Sequence, residues 1–238
     1  GEFKDDKFHG QGIQYHADGT VDKEGIWENN EFKSARKDPP PVIASRPPAP
    51  ANPDKLIPVG SGTGFSITDE GHLLTNHHVV DGCRLVVLHL KGEVEKTTVL
   101  ASDELNDLAL LKASFRPRNV FSISGKNAEL MDNIIVAGFP LSGSLSSTVK
   151  VTKGIVSSLA GIKNDYSQIQ IDAAIQPGNS GGPVVNEQGN VVAVAVATLD
   201  KEKFLKETGT IPENTNFGIK ASTVRSFLEA NSISLFAA

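Results

Sequence analysis

The sequence contains a single cysteine, Cys83, among 238 residues, so no disulfide can form within the chain. That excludes a disulfide-stapled scaffold while leaving both reducing and oxidising compartments open. No apolar run approaches the ~18 residues that would cross a bilayer as a helix. Lysine and arginine form no run, and the formal net charge is −5, so nucleic acid is not an expected partner. Histidine is scarce: the six lie at 9, 16, 72, 77, 78 and 89, and none lies beyond. His72, His77, His78 and Cys83 match no familiar zinc spacing, and two adjacent histidines on a strand cannot both face one ion. No metal or other cofactor is therefore expected. No signal peptide is visible at Gly1-Glu2-Phe3, and composition leaves the compartment open.

What is present divides into three stretches. At 39% hydrophobic and 21% charged residues, the chain suits one medium domain plus something small. Residues 1–37 contain Gly1-Glu2-Phe3 and, 24 positions on, Gly25-Ile26-Trp27, which reads as an internal repeat. Each copy is expected to be a short strand, a polar turn and a second strand with aromatics on one face. Gly1, Glu2, Phe3, His9, Gly10 and Gly12 together resemble the MORN repeat, with Asp5-Asp6 where that family often has Asp-Gly. MORN arrays are associated with protein interaction and, less securely, with lipids, so a protein or lipid partner is what the resemblance implies for this segment. An inert hairpin appendage is an equal reading. Residues 38–57 follow as a linker. Eight of the thirteen prolines (39, 40, 41, 47, 48, 50, 53 and 58) fall there or at its edge, a density that favours an extended spacer.

The body, 58–236, is built of short runs rich in Val, Ile and Leu, broken by Gly, Asn, Asp and Ser. Gly64–Thr68, Arg84–Leu90, Ala109–Leu111, Asn133–Ala137, Ser167–Ile171 and Asn190–Val196 have strand length and strand composition. No amphipathic helices separate them, so the fold class expected is all-β, a barrel or sandwich. One terminal helix is expected at about 222–230, capped by Ser222, with Val224, Phe227 and Leu228 on one face.

Gly178-Asn179-Ser180-Gly181-Gly182 places a hydroxyl in a turn whose glycines let the backbone approach a substrate closely. Consecutive amides in such a turn can converge on a developing negative charge. A serine nucleophile needs an imidazole to take its proton, and the imidazole needs an acceptor to fix its tautomer. His77 and His78 follow a small apolar strand, and Asp107 precedes one that reads as buried. Asp103 and Asp132 compete with Asp107 but lack that strand. The glycine–serine string also fits a nucleophile elbow, but that arrangement needs a histidine after the serine, and none follows Ser180.

Thr75-x-x-His78-Val79, Asp107-Leu-Ala-Leu110 and Gly178-Asn179-Ser180-Gly181-Gly182 resemble the three signatures of chymotrypsin-fold serine proteases. Gly60–Gly64, Val151–Val156, Asp172–Ile175 and Asn216–Ile219 are similar to segments of the HtrA/Deg group within it. The resemblance covers about 57–230 and implies two six-stranded antiparallel barrels, 58–140 and 141–221, with the site between them. It implies His78 as general base, Asp107 as its orienting partner and Ser180 as nucleophile, with Gly178, Asn179 and Ser180 forming the oxyanion hole. His77, one position early, is read as a bystander pointing the opposite way along an extended segment. Ala174 and Ile175 would lie at the base of the pocket for the residue before the scissile bond, favouring small or aliphatic side chains. Core packing is the other reading of that pair. Val194, Ala195 and Val196, continuing to Ala197, resemble the strand that pairs with substrate backbone. Asn179 stands where digestive relatives have an aspartate that pairs with the new N-terminus, so activation by that ion pair is not expected. The charged segment 199–216 is either a gate to the pocket or solvated surface. No PDZ module is expected after the terminal helix, a departure from the HtrA group. The activity implied is serine endopeptidase action on unfolded or flexible polypeptides, in a periplasmic or otherwise extracytoplasmic setting. The alternative is a latent or inactive protease-like binding module localised by its MORN-type segment.

Overall fold

The computed structural model describes residues 2–16, 20–35, 58–90, 92–140, 148–196, 209 and 214–234. The proline-rich linker (up to residue 57) and residues 199–208 and 210–213 of the charged segment lie outside the described residues. The chain divides into two compact units, Gly1–Ile57 and Pro58–Ala238.

In the first unit, β1 (Phe3–Lys4) pairs with β2 (Lys7–Phe8), and β3 (Gly10–Tyr15), β4 (Val21–Glu28) and β5 (Glu31–Ala35) form a three-stranded antiparallel sheet. Two two-residue turns close its hairpins, Asp5-Asp6 at φ 52° and 59° and Asn29-Asn30 at φ 51° and 71°. Positive φ at both central residues matches the right-handed twist of the strands they join, and Asp and Asn tolerate it best after glycine. The turns recur at the offset of the sequence repeat, as do the rings around them, Phe3 with Trp27 and Phe8 with Phe32. These rings pack in series, with centroids 5.0 Å apart for Phe3–Phe8, 5.9 Å for Phe8–Trp27 and 5.3 Å for Trp27–Phe32. Asn30 ties the copies together: its amide N–H donates to the Phe8 carbonyl, and its Oδ1 accepts from the Phe8 N–H.

The second unit begins with β6 (Phe65–Ser66), β7 (His72–Thr75), the single helical turn α1 (His77–Val80), β8 (Val86–Leu90), β9 (Glu93–Asp103) and β10 (Leu108–Ala113). These strands form one antiparallel sheet of five in the order β6-β7-β10-β9-β8. The first barrel is thus an open half-barrel and not the six-stranded closed one expected. Then come β11 (Asn133–Gly138), β12 (Lys150–Ser158), β13 (Gln168–Ile171), β14 (Pro183–Val185), β15 (Val191–Val196) and β16 (Asn216–Lys220), and these six strands do close a barrel. β11 belongs to this barrel, pairing with β12 and β14, so the boundary between halves falls before Asn133 and not at 140.

Two strands explain why the halves pack together. β10 is buried on both faces: Ala109, Leu111 and Ala113 pack inside the half-barrel, while Leu108 and Leu110 face outward onto Val191, Val194 and Val196 of β15. β15 does the same for the closed barrel, turning Val192, Ala193 and Ala195 inward. Continuous apolar runs are what strands buried on both faces require, here in an antiparallel setting. The closing helix α2 (Ala221–Ala230) buries Val224, Phe227 and Leu228 in that shared interface. Its N-cap is Lys220, which makes no side-chain cap, and not Ser222 as expected. Ser222 lies inside the first turn, and its exposed N–H is satisfied from another segment, by Asn127 Oδ1 at 3.1 Å. Asn127→Ala is therefore expected to destabilise the domain by about 1 kcal/mol, read as a lower urea midpoint with unchanged slope.

Candidate active site

β7 delivers the chain to α1, and α1 carries His78. Asn76, at the N-cap, does not use its side chain to cap the helix. Its Nδ2 donates instead to the main-chain carbonyl of Asp107 at 2.9 Å, which ties the start of β10 to the end of β7. Asp107 sits at φ 53°, in the left-handed region that aspartate and asparagine visit most readily among non-glycine residues. That conformation aims its carboxylate at His78. The imidazole Nδ1 lies 2.8 Å from Asp107 Oδ2 and 2.9 Å from Oδ1, and the His78 main-chain N–H donates to Oδ1 at 3.0 Å. A carboxylate accepts only, so Nδ1 carries the proton and Nε2 presents its lone pair away from Asp107. The two side chains are 34% and 23% exposed, so the pair opens toward solvent where a substrate can reach it.

His77 faces elsewhere. The segment is a helical turn, not the extended strand expected, and the His77 ring turns to Ser102 on β9, Nδ1 to Oγ 2.6 Å. The competing carboxylates are occupied by their own turns. Asp103 accepts from the Asn106 amide at 3.1 Å and from Asn106 Nδ2 at 2.7 Å. Burial works against ionisation of Asp103, but these hydrogen bonds outweigh it and hold the carboxyl below its usual value. Asp132 accepts from the Glu129 amide at 2.8 Å. His72 binds Thr68 Oγ1 through Nδ1 at 2.7 Å; burial, with Lys112 nearby, holds its pKa below the usual histidine value.

The Ser180 loop comes from the closed barrel. Pro177 precedes Gly178 at φ 100°, and the Asn179 N–H closes onto the Gln176 carbonyl at 2.9 Å, the signature of a type II turn. Only glycine takes that φ without strain. The next amides are held one by one: Gly181 N–H by the Ala195 carbonyl, Gly182 N–H by the Asn179 carbonyl, each at 2.9 Å. The Ser180 carbonyl accepts from the Thr63 N–H at 2.8 Å, binding the loop to the strand entering the half-barrel. Gly181, at φ 82°, packs so tightly against β7 that a Cβ there would come within 2.9 Å of Asn76 N and overlap Thr75 Oγ1. The chain beside Ser180 therefore abuts the segment two residues ahead of His78. Among the described residues, the Gly178 N–H has no hydrogen-bond partner. Ser180 and Asn179 are buried, and the Asn179 Oδ1 has no partner among the described residues.

The expected pocket residues divide. Ala174 is exposed, and its carbonyl accepts from Thr152 Oγ1 at 2.9 Å. Ile175 is buried and packs in the core of the closed barrel. Val194 and Ala195 are buried and flanked on both sides, by Pro183 and Gly182 along one edge and by Ile219 and Gly218 along the other. Both edges being filled, an added peptide strand cannot pair there. From Val196 onward one edge has no strand neighbour among the described residues, and Ala197 lies outside them. Thr63 and Asn76, which tie down the Ser180 loop and the Asp107 main chain, carried no signal of their own in the sequence.

Residues 62–194 match the trypsin-like peptidase domain family. The chain belongs to the trypsin-like peptidase family. This trypsin-like peptidase is 39% identical over 195 residues to an uncharacterized protein of Sinorhizobium fredii, a match covering 82% of the chain and 31% of that protein. It is 36% identical over 191 residues to the putative serine protease HhoA of Synechocystis, covering 68% of the chain and 47% of the relative. The chain thus spans half or less of the length of these relatives. A serine endoprotease from Yersinia pestis superposes with a TM-score of 0.61 at 29% identity, covering 74% of this chain and 59% of that one.

Proposed function

We propose that the chain is a serine endopeptidase in which Ser180, His78 and Asp107 act as one catalytic unit. The observation that carries this reading is the His78–Asp107 pair at 2.8 Å, with the Ser180 loop packed against the same strand end. In the mechanism, His78 Nε2 takes the Ser180 Oγ proton as Oγ attacks the scissile carbonyl. The carbonyl oxygen becomes an oxyanion facing the Gly178 and Ser180 amides, with Asn179 between them. His78 then gives its proton to the leaving amine, freeing the first product and leaving an acyl ester on Ser180. Water, deprotonated by His78, attacks the ester, and collapse returns the proton to Oγ. Asp107 holds the imidazole in the required tautomer throughout and stabilises the imidazolium.

The substrates proposed are unfolded or flexible polypeptides, because an extended segment is what a site between the half-barrel and the closed barrel can accept. Ala174 is small and uncharged, which supports small or aliphatic side chains before the scissile bond. Peptide substrates differing only at that position test this. Valine or alanine is expected to exceed arginine by about 10- to 100-fold in kcat/KM. A preference for arginine contradicts it.

The N-terminal unit supports a second, compatible reading in which its MORN-like hairpins hold the peptidase on a protein or lipid partner. Phe3, Ile13 and Tyr15 are exposed there, apolar surface that repeat stacking or docking would cover.

A further inference from the structure

We propose that Thr63 is the positioning residue of the oxyanion loop, an inference that rests on the serine endopeptidase reading above. Thr63 is 4% exposed and lies just before β6, on the opposite side of the interface from Ser180. All of its polar atoms are engaged. Its N–H donates to the Ser180 carbonyl at 2.8 Å, and its Oγ1 donates to the Gly178 carbonyl at 2.6 Å. The same Oγ1 accepts from the Phe139 N–H at 3.0 Å, and its carbonyl accepts from Thr75 Oγ1 at 2.8 Å. One residue thereby joins β7, which leads to His78, to the nucleophile's own carbonyl and to the turn before it.

The consequence lies in the Gly178–Asn179 peptide. Its carbonyl is fixed by Thr63 and its N–H by Gln176, so the plane is held at both ends. The Gly178 N–H, which has no partner among the described residues, belongs to the preceding peptide. Glycine has no Cβ to restrict that peptide's rotation, so the turn closed on Gln176 and the fixed plane after it limit which way the N–H points. Gly138 and Gly182 make room for the clamp: a Cβ at Gly138 would come within 3.0 Å of Thr63 Oγ1, and one at Gly182 within 3.3 Å of Thr63 Cγ2. A threonine serves here and a valine of equal shape does not, because valine leaves the buried Gly178 carbonyl and the part-buried Phe139 N–H without this partner.

The test compares the native chain with Thr63→Val and Thr63→Ser. Thr63→Val is expected to lower kcat about 10- to 100-fold with KM within threefold, as for loss of transition-state contact. Thr63→Ser is expected to restore kcat to within threefold of native. Thr63→Cys is the milder variant should valine fail to fold. Amide hydrogen exchange supplies a readout that needs no turnover. The Asn179 amide is expected to exchange at least tenfold faster in Thr63→Val, with the Ile134 and Ile169 amides of the closed barrel unchanged. Native kcat in Thr63→Val, or acceleration spread evenly over the barrel, overturns the proposal. If the native chain cleaves no peptide, the endopeptidase reading fails, and the exchange result alone decides whether Thr63 clamps the loop.

Discussion

Ser180→Ala is expected to reduce peptide hydrolysis by about six orders of magnitude in kcat while leaving the fold intact. The loop is held by main-chain hydrogen bonds. The Ser180 carbonyl is held by Thr63, the following amide by Ala195 and the preceding turn by Gln176, all through main-chain groups. Removing Oγ therefore deletes the proposed nucleophile while these main-chain bonds remain. The amides that face the oxyanion stay in place, so a residual acceleration of about 10³–10⁴ over water should persist, from binding and electrostatics alone. The measurement is kcat on a chromogenic peptide beside a thermal melt of both proteins. A variant with native melting and more than a hundredth of native kcat contradicts the assignment.

Asp107→Asn is expected to lower kcat by about 10⁴. Asparagine adopts the φ of 53° found here as readily as aspartate, so the backbone at the start of β10 is preserved. The carbonyl that accepts from Asn76 is preserved too. What changes is the tautomer. The carboxylate receives both the His78 main-chain N–H and the ring Nδ1. An asparagine whose Oδ1 keeps the main-chain bond turns its NH₂ toward Nδ1, which can then only accept. The ring proton moves to Nε2, and the imidazole has no lone pair for Ser180. Activity should recover in part at high pH, where hydroxide can take the serine proton in place of the imidazole. A drop of less than tenfold at pH 7 means His78 is oriented by something other than Asp107.

The sequence shows the central strands of the second unit because they are buried on both faces. Ala109–Leu111 and Val191–Val196 had to read as unbroken apolar runs, and they do. β9, the longest strand, escaped notice for the opposite reason. It is exposed along most of its length, and Glu93, Glu95 and Lys96 mask its pattern. The number of strands in the half-barrel, and the membership of β11 in the closed barrel, depend on long-range pairing that no local pattern encodes. Of the proposed site, His78, Asp107 and Ser180 stand out in the sequence because a nucleophile, a base and an acceptor demand those residue types. Ile175 was ambiguous because pocket and core ask for the same side chain. Thr63 was not legible: a threonine between glycines reads as a turn residue until the Gly178 carbonyl arrives from 115 positions away.

The most direct test is labelling by a fluorophosphonate probe, with the adduct mapped by mass spectrometry in the native chain and in His78→Ala. The probe reacts only with a serine whose base and oxyanion donors are assembled, so it reports the whole site in one step. One adduct on Ser180 in the native protein, and none in folded His78→Ala, is the predicted result. A folded native chain that takes up no probe, or takes it up elsewhere, contradicts an assembled Ser180–His78–Asp107 site.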